Sequence, residues 1–451
     1  MNFSDGFAEV FRRLLPSPFA IALILTLFTF ALAGVLTYPR TEEQIPHIIN
    51  LFQYWYQGFW DQSLMVFAMQ MMLILVLGHV LALSNPINTL INFFVKRCSK
   101  TAYAATIVCL LTLLVSFFNW GLGLIFGAIF ARKVAENAVI NKYRINYPII
   151  GAAGYSGLMV WHGGLSGSAP LKVAEQGHFL QAQLGVIPLT ETIFSPMNII
   201  VSVILLFTLP AAMYLMGKRA RACIPDIEIQ TKFSEFLPKP KGAEKIDNSK
   251  IFGRLTGSII IVWVVYLMFI APDKISLNII TPNFINMILL GLSIFFHNSL
   301  RDFISAVDNA ISGASGILIQ FPFYFGIMGI MKYSGLTELL SNLFISISNQ
   351  DSFAVYTLIS ASIINIFIPS GGGQWAIQGP IIAEAALKSG VSPAKAVMAL
   401  AYGDQLTNML QPFWALPLLG ITGLQAKEIL PYSFILMLIG GVIFAAGLLL
   451  F

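Results

Sequence analysis

Asp404 stands in the run Gly403-Asp404-Gln405-Leu406-Thr407-Asn408, inside a long apolar stretch. A carboxylate, a hydroxyl and amides this close together offer the oxygen ligands a hard cation such as Na⁺ needs, and the carboxylate could instead take a proton. A second polar island, Pro369-Ser370-Gly371-Gly372-Gly373-Gln374-Trp375, sets three consecutive glycines beside a proline in equally apolar surroundings. Carbonyls freed there can hold a cation. N–H groups opening the helix that follows can face an anion, helped by the positive end of its dipole. Two further islands have the same character: Phe118-Asn119-Trp120-Gly121-Leu122-Gly123, and His162-Gly163-Gly164-Leu165-Ser166-Gly167-Ser168-Ala169-Pro170.

The elements that must position these islands follow from composition. Of 451 residues, 57% are hydrophobic and 10% charged, with mean hydropathy +0.78. That is a membrane protein. The apolar stretches approach or exceed the roughly 18 to 20 residues that cross a bilayer as a helix, so the fold class expected is all-α and polytopic. Stretch 16–36 is too long for a signal-peptide core and is expected to stay in the mature chain. The net charge of +5 comes from basic residues in short loops, which set topology and carry no nucleic-acid motif. Cys98, Cys109 and Cys223 have neither zinc-site nor disulfide spacing.

With Lys and Arg marking the cytoplasmic side, Arg12 and Arg13 place the N-terminus in the cytoplasm and 37–60 becomes an outside loop with Glu42 and Glu43. Stretch 101–130 lies between basic clusters at both ends (Lys96, Arg97, Lys100; Arg132, Lys133, Lys142, Arg144), so it enters and leaves on one side. At about 1.5 Å rise per residue it is too short for two spans, and a re-entrant helical hairpin with its tip at Asn119 is expected. Stretch 353–383 is expected to be a second hairpin, from the outside, and each hairpin precedes a span that looks broken, 148–170 and 394–418. The halves, 1–216 and 251–451, are joined by a cytoplasmic linker, 217–250, bearing Lys218, Arg219, Arg221, Lys232, Lys239, Lys241, Lys245, Lys250, Pro238 and Pro240. The order of elements repeats between the halves, and Tyr155 and Pro170 match Tyr402 and Pro417 in spacing. Because 255–271 adds one crossing, the copies are expected to be inverted, with the C-terminus outside, in the plan of a secondary transporter.

Four discontinuities meeting at the midplane would make one substrate site flanked by two ion sites. Asn119, Gly163, Gly164 and Ser166 are assigned to one ion site; Ser370, Gly372, Asp404, Thr407 and Asn408 to the other. Asn119, Trp120, Gly121, His162, Gly371, Gly372, Gly373, Gln374 and Trp375 are assigned to the substrate. In this topology no Lys or Arg lies at the midplane, which suits a small monoanion with an apolar tail. The islands at Gly154-Tyr155-Ser156-Gly157 and Gly313-Ala314-Ser315-Gly316 match the pattern of a rhomboid-like intramembrane serine protease, a rival reading that ignores the repeat. A channel is a second rival, opposed by the two occluding hairpins.

On Phe11-Arg12-Arg13-Leu14, Ser116-Phe117-Phe118-Asn119-Trp120-Gly121, Val160-Trp161-His162 through Pro170, Pro369 through Trp375 and Gly403-Asp404-Gln405, the whole chain resembles the bacterial short-chain fatty acid transporter family. The resemblance implies a non-enzymatic inner-membrane carrier that takes up acids such as butyrate and acetoacetate with Na⁺ or H⁺, without further cofactors. It also implies membership of the ion transporter superfamily, with inverted repeats, re-entrant hairpins, a homodimeric scaffold and elevator-like motion. Dicarboxylate carriers of that superfamily have Ser-Asn-Thr at both hairpin tips; here the tips read Phe-Asn-Trp-Gly and Ser-Gly-Gly-Gly-Gln-Trp. That difference puts a dicarboxylate substrate and the second sodium site in question.

Overall fold

The computed structural model describes residues 16–38, 44–227, 242–271 and 281–451. Arg12, Arg13, Glu42, Glu43, Lys232, Pro238, Lys239, Pro240 and Lys241 lie outside the described residues. Within them the chain is almost entirely helical, and seven helical stretches are long and apolar enough to cross a membrane. Several helices start at a side-chain cap followed by proline, as at Ser17-Pro18, Ser195-Pro196 and Thr281-Pro282. The cap oxygen satisfies an otherwise orphaned N–H, and proline has none to lose.

The first half comprises α1 (Pro18–Leu36), α2 (Gln44–Phe59), α3 (Gln62–Leu83), α4 (Asn85–Val95), α5 (Thr101–Phe118), α6 (Trp120–Ile140), α7 (Tyr147–Tyr155), α8 (Ser168–Ala174) and α9 (Pro196–Arg219). The second comprises α10 (Lys250–Phe269), α11 (Pro282–Phe296), α12 (Leu300–Ile311), α13 (Ser315–Tyr333), α14 (Leu336–Ser346), α15 (Phe353–Phe367), α16 (Gly371–Lys388), α17 (Pro393–Asn408), α18 (Pro412–Thr422) and α19 (Ala426–Leu450). Helix α5 packs on α6, α7 and α9, while α15 packs on α17; α18 and α19 then reach across to α6 and α9.

Several boundaries differ from the sequence expectation. Of the stretch expected as a loop, 37–60, residues Gln44–Phe59 form a helix: α2 lies along α13, and α1 also packs there. Glycines allow the approach, since a Cβ at Gly58 would sit 2.7 Å from the Gly329 Cα and collide with the Phe325 carbonyl oxygen. Gly58→Ala is therefore expected to cost about 1 to 3 kcal/mol by overpacking. A lowered thermal midpoint in detergent would register it, and an unchanged midpoint would refute this account of the α2–α13 contact.

The first helix pair runs to Ile140, past the expected 130, because Arg132 and Lys133 do not mark its end. Both bond Glu136 (3.1 and 2.8 Å) one turn away, so its carboxylate offsets one of the two positive charges within α6. The second pair similarly extends past 383 to Lys388. Nor do Gly371, Gly372 and Gly373 form the reversal: it falls at Ile368-Pro369-Ser370, and the glycines open α16. The expected break at Gly403–Asn408 is helical throughout and ends α17; the interruption lies at Met409–Gln411, before Pro412. Gly403 serves packing, because a Cβ there would lie 2.6 Å from that of Ala361 on α15. The other broken span begins its irregularity earlier than His162, in 3₁₀ turns Ser156–Met159 and Trp161–Gly163. Of the expected linker, Lys218 and Arg219 belong to the last turn of α9 and Lys250 to the first of α10.

Candidate functional site

Asn119 is extended between α5 and α6, and its side chain caps α6 by accepting from Leu122 N (3.0 Å). The 3₁₀ segment seals against this break: Trp120 N donates to Ser166 Oγ (3.0 Å) and Leu165 N to the Phe117 carbonyl (2.7 Å). Gly164 is required there, as a Cβ would meet the Phe117 backbone at 2.9 Å. Gly163 lies one step away, its carbonyl accepting from Asn198 Nδ2 (2.9 Å). Asn119, Trp120, Gly163, Gly164 and Ser166 thus form one connected cluster, with Gly121 in the first turn of α6.

The second break is built the same way. Ser370 is extended and caps α16 through Gly373 N (3.1 Å), so its hydroxyl serves backbone. Gly371 abuts His162: a Cβ there would collide with Nε2 and lie 2.8 Å from Trp161 Cη2. Gly372 faces open space. Gln374 and Trp375 turn away from this meeting point. Gln374 donates to the Ala361 carbonyl and to Gln378, tying α16 to α15, while Trp375 packs in a separate apolar cluster beside Phe179.

His162 and Asp404 converge from opposite halves, with Nε2 and Oδ1 3.3 Å apart and both side chains at most 1% exposed. Neither ring nitrogen of His162 nor Asp404 Oδ2 has a hydrogen-bond partner. A buried ionisable pair so incompletely satisfied is costly as mere scaffold. Gln405 fixes the backbone, its Oε1 accepting from His162 N (3.0 Å).

Thr407 and Asn408 are held by a residue the sequence reading missed. Asn365 Nδ2 approaches the Asp404 carbonyl, Thr407 Oγ1 and Asn408 Oδ1 at 2.6, 3.1 and 2.7 Å, and Gln411 donates to the Asn365 carbonyl. Asn365 Oδ1, Asp404 Oδ2 and Gln411 Oε1 remain buried without hydrogen-bond partners, and oxygen is the ligand type Na⁺ takes. Asn198 was missed as well. The signal for both was a lone amide in an apolar helix, which costs free energy unless it is bonded. Tyr155 OH donates to the Asn408 carbonyl (2.6 Å) at the end of α17, while Tyr402 OH donates to Asn198 Oδ1 (2.9 Å) on α9, whose Nδ2 in turn donates to the Gly163 carbonyl, so a tyrosine of each half bonds the other half, Tyr155 directly at the interrupted segment and Tyr402 through Asn198.

The serines of the rival protease pattern have other work. Ser156 donates to the Ala153 carbonyl (2.7 Å), beside Cys109 Sγ, and Ser315 to the Ser312 carbonyl (2.9 Å).

A bundle of apolar helices interrupted around a buried polar cluster is the build of a multi-pass membrane transport protein. The family model described as "Short chain fatty acid transporter" matches residues 2–451. A relative from Escherichia coli (strain K12) is 37% identical over 444 residues, covering 97% of each chain. Another, from Haemophilus influenzae, is 35% identical over 449 residues, covering 97% of this chain and 96% of its own. Both are named for short-chain fatty acid transport. The chain belongs to the short chain fatty acid transporter family. Among solved structures, the YdaH transporter of Alcanivorax borkumensis aligns with TM-score 0.47 and 17% identity, over 96% of this chain and 98% of that one.

Proposed function

We propose that this protein is a secondary active transporter that moves a short-chain monocarboxylate, such as butyrate or acetoacetate, together with Na⁺ or H⁺ across the bacterial inner membrane. The observation that carries the proposal is the His162–Asp404 pair, buried where the two halves meet and set against the opening turn of α16. The first N–H groups of a helix attract anions, and an intramembrane carboxylate marks an ion pathway. Asp404, Asn365 and Gln411 are the oxygen donors for a cation. The reciprocal tyrosine contacts and the matching helix–break–helix order support an inverted repeat with re-entrant pairs α5–α6 and α15–α16. The halves divide between Arg219, where α9 ends, and Lys250, where α10 begins, with the N-terminus cytoplasmic, the C-terminus periplasmic and motion of the elevator kind. The superfamily relation and the homodimer rest on the family resemblance.

The test is uptake of labelled butyrate into proteoliposomes under a Na⁺ gradient and a pH gradient imposed separately, with protein-free liposomes as control. Accumulation under Na⁺ alone is the result expected if the oxygen cluster takes the cation. Accumulation under the pH gradient alone, above the control, makes Asp404 the proton carrier. No protein-dependent uptake under either gradient rejects the proposal.

A further inference from the structure

Beyond the substrate assignment, and resting on it, we infer that Trp120, Trp161 and Trp414, with Phe67, form an aromatic box that binds the substrate's hydrocarbon tail and sets its length, the indole N–H groups of Trp161 and Trp414 adding donors to those that the opening turn of α16 offers the carboxylate. The four rings come from four elements: Phe67 from α3, Trp120 from the first position of α6, Trp161 from the 3₁₀ segment and Trp414 from the first turn of α18. Trp120 is the hub, with ring centroids 5.9 Å from Trp161, 5.0 Å from Trp414 and 6.3 Å from Phe67; Phe67 and Trp414 are 6.3 Å apart. The chain of rings leads directly from the helix opening, since Trp161 touches the space beside Gly371 and its centroid is 3.7 Å from that of His162.

Two features together favour a ligand here, although the first is shared with Trp55 and Trp375, whose Nε1 atoms outside the box also lack a partner. Trp161 and Trp414 are 2% and 4% exposed, yet neither Nε1 has a hydrogen-bond partner, although buried indole N–H groups usually find one. An anionic head group would supply the missing acceptor. Phe67 and Trp120 are only partly buried, so the box has an accessible edge. An amphiphile with one acceptor head and a short apolar tail satisfies both features. A second carboxylate would fall among rings and lose hydration without a partner, so dicarboxylates are excluded by the same box.

The test is exchange of labelled butyrate in proteoliposomes, competed by unlabelled acetate, butyrate, hexanoate, octanoate and succinate. Wild type should be competed best by butyrate and hardly by succinate. Trp120→Ala should shift the order toward hexanoate and octanoate. Trp414→Phe keeps an aromatic six-membered ring while removing the N–H with the rest of the indole, and should weaken competition by every monocarboxylate about tenfold, as loss of one hydrogen bond to a charged group does, with the order unchanged. An unaltered order in Trp120→Ala together with wild-type affinity in Trp414→Phe would overturn the box. If Trp120→Ala does not fold, Trp120→Leu serves the same comparison. Absence of exchange of any monocarboxylate by the wild type overturns the transport proposal, and the box with it.

Discussion

Asp404→Asn is expected to reduce gradient-driven accumulation of butyrate to the level of protein-free liposomes while the protein still folds and still exchanges substrate. The replacement is nearly isosteric, and the backbone contacts that hold this turn do not use the carboxylate. The Asp404 carbonyl bonds Asn365, and Tyr155 bonds the Asn408 carbonyl. What disappears is the carboxyl group 3.3 Å from His162. An intramembrane carboxyl is the group that can ligate a cation or carry a proton in with the anion. Exchange needs binding and reorientation but no net ion movement, and for that reason it should survive. Accumulation by the mutant at the wild-type level would remove Asp404 from ion coupling.

The second large effect concerns two adjacent glycines with opposite surroundings. Gly371→Ala drives a methyl group into the His162 and Trp161 rings. Because His162 is packed on every side, the ring must leave its place beside Asp404, and loss of uptake by at least about tenfold is expected, equivalent to roughly 1.4 kcal/mol. Gly372→Ala meets nothing within 4 Å. On packing grounds it is harmless, and in a helix alanine is favoured over glycine by about 0.5 to 1 kcal/mol. Uptake should nevertheless fall, because the methyl group occupies the open space where the anion approaches the N–H groups of α16. A Gly372→Ala protein with unchanged thermal midpoint and reduced apparent affinity is the expected outcome. Unchanged affinity would remove Gly372 from the substrate site.

The membrane class, the two interrupted helix pairs and the polar islands were legible in sequence because each follows from a local rule. Twenty or so apolar residues make a span, and Asn or Ser before a glycine-rich turn makes a cap. Asn119 and Ser370 are extended N-caps for that reason. Local rules failed where long-range packing supplied the missing term. Gly403 reads as a helix breaker, yet α17 stays helical through Asn408 because contact with α15 outweighs the glycine penalty. Arg132 and Lys133 read as the end of the helix pair, yet α6 continues to Ile140 with both side chains bonded to Glu136 one turn on.

The candidate site divides along the same line. By itself the sequence determined which polar residues stand in apolar surroundings, since hydropathy is a property of neighbours along the chain: Asp404, His162, Asn119, Thr407 and Asn408 were all visible in this way. It could not determine which of them touch. The pairing of His162 with Asp404, the lock that Asn365 imposes on Thr407 and Asn408, and the removal of Trp375 to a separate cluster while Trp161 and Trp414 join Trp120 were decided by tertiary structure alone. These contacts join residues far apart in the chain. They form because, away from water, a polar side chain must find its partner on another helix.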